Sequence, residues 1–200
     1  MSTTEIMLKL ADKARDAWRV VLDTPMHQYP KGRSDIATSH DVRIEDVLIA
    51  AIRDLVPGAR VVAEESATQC DSWDGETWVV DSIDGTRNYS RGIPFFCTSI
   101  GQVHDGIPVM GCVVDPVRDE TFIGGRGRAL TINGCEPRRE AVTKLSEAIV
   151  AISAVSSASS AGGTVSAMVE ACQAVRLFGS TALSLAYVAV TCPPNPDPGL

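Results

Sequence analysis

Val79-Val80-Asp81-Ser82-Ile83-Asp84-Gly85-Thr86-Arg87-Asn88-Tyr89 places two carboxylates, a glycine and a hydroxyl directly behind a β-prone run that starts at Trp78. Trp78, Val79 and Val80 favour a strand, Gly85 permits a sharp bend, and the residues after it can open a helical turn. Asp81 and Asp84, three apart across that bend, can point their oxygens at a common centre. Hard cations such as Mg²⁺ take oxygen ligands of this kind and leave room for water and substrate phosphate. Backbone N–H groups at Gly85 and Thr86, where helix begins, can then hold a phosphate. The same residues admit two other readings. Asp-Gly is an ordinary turn signal, and Asp before a helical turn is an ordinary N-cap. An aspartyl-phosphate phosphatase turn, Asp-x-Asp-Gly-Thr with a covalent first Asp, is the third, but the spacing here has one residue too many.

Two hundred residues can bury a real core, as one domain or as one domain with two lobes. The formal charge of −7, from 18 Lys and Arg against 25 Asp and Glu, argues against nonspecific binding to nucleic acid or to an anionic membrane. An acidic protein still binds phosphates when cations bridge them, which points again to metal. Cys70, Cys97, Cys112, Cys135, Cys172 and Cys192 contain no Cys-x-x-Cys pair, so neither a zinc site nor a dense disulfide framework is indicated. Reduced thiols in a cytoplasmic protein suit this pattern. Glu5, Lys9, Asp12 and Lys13 interrupt the N-terminus, which lacks the apolar block of a signal peptide. Ala148 to Val169 carries no charge, but its Ser-, Ala- and Gly-rich middle reads as a loop and not as a membrane span.

Along the chain, Ile6, Leu8, Leu10, Ala14, Ala17, Val20 and Val21 form a helical stripe behind a Thr3/Thr4 cap, predicting a helix from about Thr4 to Leu22. Pro25 to Pro30 breaks the chain and Lys31 to Asp35 forms a polar loop. A second helix is expected from about Asp41 to Leu55, burying Val42, Ile44, Val47, Leu48, Ala51, Ile52 and Leu55, with Asp41 most simply its N-cap. Arg60 to Ser66 reads as a buried strand ending in Glu64 and Glu65. Lying parallel to Trp78–Val80, it would bring Glu64 to the same edge as Asp81; alone, the two glutamates are a solvated strand end. From Phe95 the texture is a meander of antiparallel strands: Phe96 to Val103, Val109 to Val114, Glu120 to Gly124 and Ala129 to Ile132. Gly124 to Arg128 is a hairpin bend, since no strand-loop-helix context makes it a phosphate loop. Beyond Pro137, strands at Ala148–Ser153 and Val175–Phe178 alternate with helices at Val165–Ala174 and Ser180–Val190. The expected division is 1–139, 140–190 and a proline-rich tail over 191–200.

These residues resemble the inositol monophosphatase family of Mg²⁺-dependent, lithium-sensitive phosphatases. The resemblance rests on Glu64-Glu65-Ser66, on Asp81 to Tyr89 with Pro94-Phe95 and Ser99-Ile100-Gly101, and on Gly179-Ser180-Thr181-Ala182-Leu183 with Leu185 to Ala189. Lys31, Asp35, Asp41 and Gly111 to Pro116 add to it. Ser82 stands where the family usually has proline. The resemblance implies an αβαβα sandwich of the sugar-phosphatase type, a homodimer, and Mg²⁺ at two or more sites. It implies that Glu64, Asp81 and the carbonyl of Ile83 hold a first metal and that Asp81 with Asp84 holds a second. Thr86 with Asp41 would orient and deprotonate the attacking water, with Glu64 also in the catalytic set. Gly85 and Thr86 would receive the phosphate near Asp84, and Gly179, Ser180 and Thr181 would line the alcohol pocket. Family members continue to a Trp-Asp pair that completes the second metal. Trp73-Asp74 cannot be mapped onto it and Asp197 lies in the tail, so the second lobe is expected to be incomplete and the second site short of a carboxylate. The implied function is hydrolysis of a small phosphomonoester, inositol monophosphate first. Histidinol phosphate, a sugar bisphosphate or a 3′-phosphonucleotide are the alternatives, as is a noncatalytic metal-binding or dimerising module.

Overall fold

A computed structural model describes residues 1–32, 36–66, 72–137, 142–152 and 161–191. Helix α1 (Thr3–Leu22) starts one residue earlier than its stripe suggests, because Ser2 is its cap. Ser2 Oγ accepts from the Glu5 N–H while Glu5 Oε2 accepts from the Ser2 N–H at 2.7 Å, a closed capping box that Thr3 and Thr4 cannot make. Its inward face is Ile6, Met7, Leu10, Ala14, Ala17, Trp18 and Val21. Leu8 and Val20, expected inside, are half exposed, since Met7 and Trp18 take the core-facing positions on the 3.6-residue repeat.

Two three-residue strands, β1 (Gln28–Pro30) and β2 (Ile36–Thr38), pair antiparallel where the sequence suggests only a break and a loop. Helix α2 (Ser39–Leu55) follows, capped by Thr38 and not by Asp41; Asp41 is the third helical residue and closes the box by accepting from the Thr38 N–H. Ile44, Leu48, Ala51 and Ile52 are buried as expected, whereas Val42 and Val47 face outward and His40, Asp41 and Glu45 face inward.

The central sheet has the order β3-β4-β5-β6-β7-β8, from β3 (Arg60–Ala63), β4 (Glu76–Asp84), β5 (Cys97–His104), β6 (Ile107–Asp115), β7 (Glu120–Gly125) and β8 (Arg128–Ile132). Only β3 and β4 run parallel, and the rest is the expected antiparallel meander. Helices α1 and α2 cover one face with the larger core, in which Trp78, Val80, Ile83, Ile100, Cys112 and Val114 meet the helices. On the other face a smaller cluster of Cys97, Phe122, Leu183 and Ala186 seats helix α5 (Thr181–Thr191). Beyond α3 (Thr86–Ser90) and the meander, β9 (Ile149–Ala151) and β10 (Ala174–Arg176) pair parallel on either side of α4 (Ala161–Ala171). The layered α/β arrangement is as expected, and the alternating strands and helices after Pro137 are present. The boundary proposed near residue 140 and the tail beyond 191 fall outside the described residues, as do Asp35 and Asp197. No helix among the described residues is long and apolar enough to cross a membrane.

The β4–β5 ladder loses register between Asp81 and Asp84, so the carbonyl of Ser82 has no ladder partner there. A side-chain relay replaces it: Thr98 Oγ1 donates to Ser82 O at 2.7 Å, and Trp18 Nε1 donates to Thr98 Oγ1 at 2.9 Å. The bulge that presents the two aspartates is thus anchored to α1. The Ser82 hydroxyl is fully buried and finds no partner among the described residues. An unpaired buried hydroxyl costs about 1–3 kcal/mol, partly offset in Ala by lost contacts. Ser82→Ala is therefore expected to raise the thermal midpoint by roughly 2–4 °C for each kcal/mol relieved in a domain of this size. A lowered midpoint in a calorimetric melt would show that the hydroxyl has a hydrogen-bond partner in the folded protein.

Candidate active site

The parallel register of β3 and β4 pairs Ala63 with Val80, so Glu64, just past the end of β3, and Asp81, still within β4, lie at the same end of the sheet, as expected. The strand ends at Ala63 because the next three residues turn under the control of a carboxylate that sequence reasoning missed. Glu45 of α2, fully buried, accepts from the N–H groups of Glu65 and Ser66, each at 2.8 Å, and from the Ser66 hydroxyl. Glu45 lies four residues after Asp41 on the same helix face. That spacing is its only sequence signal.

Asp81 is pushed up to about 8, first by burial, then by the charges of Glu64, Asp84 and Asp41 and by a hydrogen bond shared with Glu64. Lys31 answers part of this negative charge: its Nζ lies 3.0 Å from Glu64 Oε1 and 2.5 Å from Glu65 Oε1. Burial works against the ammonium, but the two glutamates prevail and raise Lys31 above its ordinary value. Glu65 is itself raised, mainly by burial.

Asp84 is committed to the second part of the chain. Its Oδ2 accepts from Ser180 Oγ and from the Ala182 N–H, both at 2.6 Å, at the start of α5. Ser180 is consequently buried and faces Asp84, while Gly179 and Thr181 are the exposed members of that segment. Gly85 has φ of 97°, and a Cβ there would stand 3.1 Å from both Phe95 O and Ser180 Cβ. Only glycine lets the bend and the 179–180 segment close on each other. Asn88 Nδ2 locks the junction by donating to Phe95 O at 2.8 Å and to Phe178 O at 2.6 Å.

Asp41 combines both roles that the sequence leaves open. Its Oδ2 serves the helix cap, accepting from the Thr38 N–H at 2.8 Å and from Thr38 Oγ1 at 2.5 Å. Its Oδ1 lies 3.1 Å from Thr86 Oγ1. Burial raises the Asp41 carboxyl, and the hydrogen bonds from Thr38 and Thr86 oppose that rise. The Thr86 hydroxyl also lies 2.8 Å from the Ile83 carbonyl. Having one proton, it can serve Ile83 or Asp41 fully, but not both. The structure therefore brings together Asp41, Thr86, Ile83, Asp81 and Glu64, and joins Asp84 to Ser180.

Among the described residues, no three acidic, histidine or cysteine side chains are gathered ready to coordinate one ion. Glu64 turns to Lys31, and Asp84 turns to Ser180 and Ala182. The donor set nevertheless fits a hard divalent cation. Burial, and then the neighbouring carboxylates, disfavour the Asp81 anion, a strain that a hard cation with oxygen ligands relieves. A cation bound there competes with the proton for Asp81. In the metal-free chain this Asp has a folded value above the unfolded one, so its contribution to stability is fully present below about pH 4. That contribution falls as pH rises and is gone once pH passes about 8. Cation affinity has the opposite slope, strengthening by up to about tenfold per unit from pH 5 to 8 and levelling above. Titration calorimetry with Mg²⁺ in buffers of different ionisation enthalpy checks this; no proton release near pH 6.5 would contradict it.

A model of the inositol monophosphatase family matches residues 2–191. Inositol monophosphatase 3 of Solanum lycopersicum is 29% identical over 193 residues, covering 92% of this chain and 72% of that protein. Nus factor SuhB of Escherichia coli strain K12 is 32% identical over 190 residues, covering 92% and 71%. The solved Thermotoga maritima IMPase superposes with a TM-score of 0.82 at 26% identity, over 96% of this chain and 74% of that one.

Proposed function

The chain belongs to the inositol monophosphatase family, and on that premise we propose that it hydrolyses a small phosphomonoester with the help of bound Mg²⁺. The observation that carries this reading is the Thr86 hydroxyl, set between the Ile83 carbonyl and a buried Asp41 carboxylate at the end of the sheet where Asp81 and Glu64 lie. Glu64, Asp81 and the Ile83 carbonyl would hold one cation, and Asp81 with Asp84 a second. Bound there, the cations would acidify water and neutralise charge on the phosphate and the leaving alkoxide. Thr86 then donates to Asp41 and accepts from a water, aligning that water and passing its proton toward the carboxylate. Asp41 suits this work because burial favours the protonated form that it reaches. The Gly85 and Thr86 N–H groups receive the phosphate, and exposed Gly179 and Thr181 face the alcohol. Buried Ser180 acts on the site through Asp84. The free thiols of Cys97, Cys112, Cys135 and Cys172 support a cytoplasmic location.

Phosphate release from inositol monophosphate, histidinol phosphate, a sugar bisphosphate and a 3′-phosphonucleotide, with and without Mg²⁺, tests the reading and ranks the substrates. A second reading is a noncatalytic metal-binding or dimerising module; the 32% identity to a relative named a Nus factor favours a role other than phosphate release. Absence of release from every substrate at saturating Mg²⁺ would select it.

A further inference from the structure

Behind Asp41 lies a buried polar pair that the proposed chemistry does not use. His40, 3% exposed, sets its Nδ1 2.5 Å from the Tyr89 hydroxyl and its Nε2 3.2 Å from Thr24 Oγ1 and 3.3 Å from the Pro25 carbonyl. Thr24 Oγ1 donates its own proton to Val21 O at 2.8 Å, and the Pro25 carbonyl can only accept. Nε2 therefore carries a ring proton. In the neutral ring Nδ1 is then an acceptor, and the Tyr89 hydroxyl donates to it.

Tyr89 is three residues beyond Thr86, on the same side of the short helix α3. Its ring is fixed edge-on against Trp18 at 5.3 Å and Phe96 at 5.0 Å. Helices α2 and α3 are thus joined by two parallel ties, His40 to Tyr89 and Asp41 to Thr86, made by adjacent residues of one helix and by residues one turn apart on the other. A five-residue helix cannot hold its own orientation. The Asp41–Thr86 tie, at 3.1 Å, is also the weaker contact of a hydroxyl that the Ile83 carbonyl competes for at 2.8 Å. A small rotation of α3 would leave the hydroxyl to Ile83. A Phe ring at 89 would fill the same apolar space, so the phenol oxygen is there for the tie.

We propose that His40 and Tyr89 are positioning residues, holding α3 at the rotation that keeps the Thr86 hydroxyl on Asp41. The kinetic consequence rests on the phosphatase reading; the tie itself does not. Tyr89→Phe is expected to lower kcat by about 10- to 10²-fold, the usual consequence of a displaced catalytic group. KM and the Mg²⁺ half-saturation should stay within about twofold, since only transition-state positioning is lost. On a Thr86→Ala background the same change should cost nothing further. His40→Asn, whose carbonyl oxygen can stand in for Nδ1, should keep most of the parent rate, and His40→Gln, which keeps only the distal donor, should not. Independently of turnover, ¹⁵N NMR should show His40 protonated at Nε2, with Tyr89→Phe shifting both its Nδ1 resonance and the Thr86 amide. Additive loss with Thr86→Ala, equal rates for the Asn and Gln variants, or a Thr86 amide indifferent to Tyr89→Phe would each overturn the proposal. A parent chain that shows the NMR tie but releases no phosphate would overturn the phosphatase reading instead.

Discussion

Asp84→Asn is expected to lower Mg²⁺-dependent phosphate release by on the order of 10²-fold or more while the protein stays folded. Two effects compete in this substitution, and their sizes separate them. The carboxylate sits at the start of α5, where negative charge contributes about 0.3–1 kcal/mol, and Asn keeps a carbonyl for the Ala182 N–H and the Ser180 hydroxyl. A loss of up to roughly 1 kcal/mol moves the thermal midpoint by only a few degrees. A 10²-fold rate loss is about 2.7 kcal/mol of transition-state stabilisation, more than the cap supplies. Steady-state rates beside a thermal melt distinguish the outcomes. Parent-like turnover would remove Asp84 from the cation site, and collapse of the melt would make it mainly the anchor of α5.

Thr86→Ala and Asp41→Asn are each expected to slow turnover by on the order of 10²-fold, and the double variant to be little slower than either. The reason is the shared hydrogen bond. Thr86 Oγ1 reaches Asp41 Oδ1 at 3.1 Å, so removing either partner leaves the other without a water to align. Mg²⁺ affinity should change little in Thr86→Ala, which leaves Glu64, Asp81 and Asp84 untouched. Asp41→Asn should also cost stability, because Oδ2 accepts from the Thr38 N–H and hydroxyl in the capping box of α2. A double variant slower by about 10⁴-fold would mean independent contributions and would return Asp41 to its helix-capping role.

The legible parts of the fold were those with local signals. Trp78 to Val80 followed by Asp-Gly announces a strand and a bend, and the alternation from Phe96 to Ile132 announces the meander, turn by turn. The hairpin of β1 and β2 was not legible, since its first strand is exposed at all three positions and contains Pro30. The cap of α1 could have been read: of three consecutive hydroxyl residues, only Ser2 stands three before Glu5. The strand at Arg60 stops early because its end is turned by Glu45, which is about twenty residues away in sequence. His40 and Glu45 look like solvated helix positions for the same reason, as their partners lie far along the chain. Asp41 shows the limit most clearly. Thr-x-x-Asp marks a capping box, and nothing local reveals that the second oxygen faces Thr86, 45 residues on.

On the proposed reading, the bend after β4 holds divalent cations which, with Thr86 and Asp41, hydrolyse a phosphomonoester. Phosphate release from inositol monophosphate, followed across a Mg²⁺ titration for the parent and for Asp84→Asn, tests it most directly. Release is expected to saturate with Mg²⁺, to vanish on chelation and to fall by at least about 10²-fold in the variant. Release that ignores Mg²⁺, or that is equal in the two proteins, would contradict it.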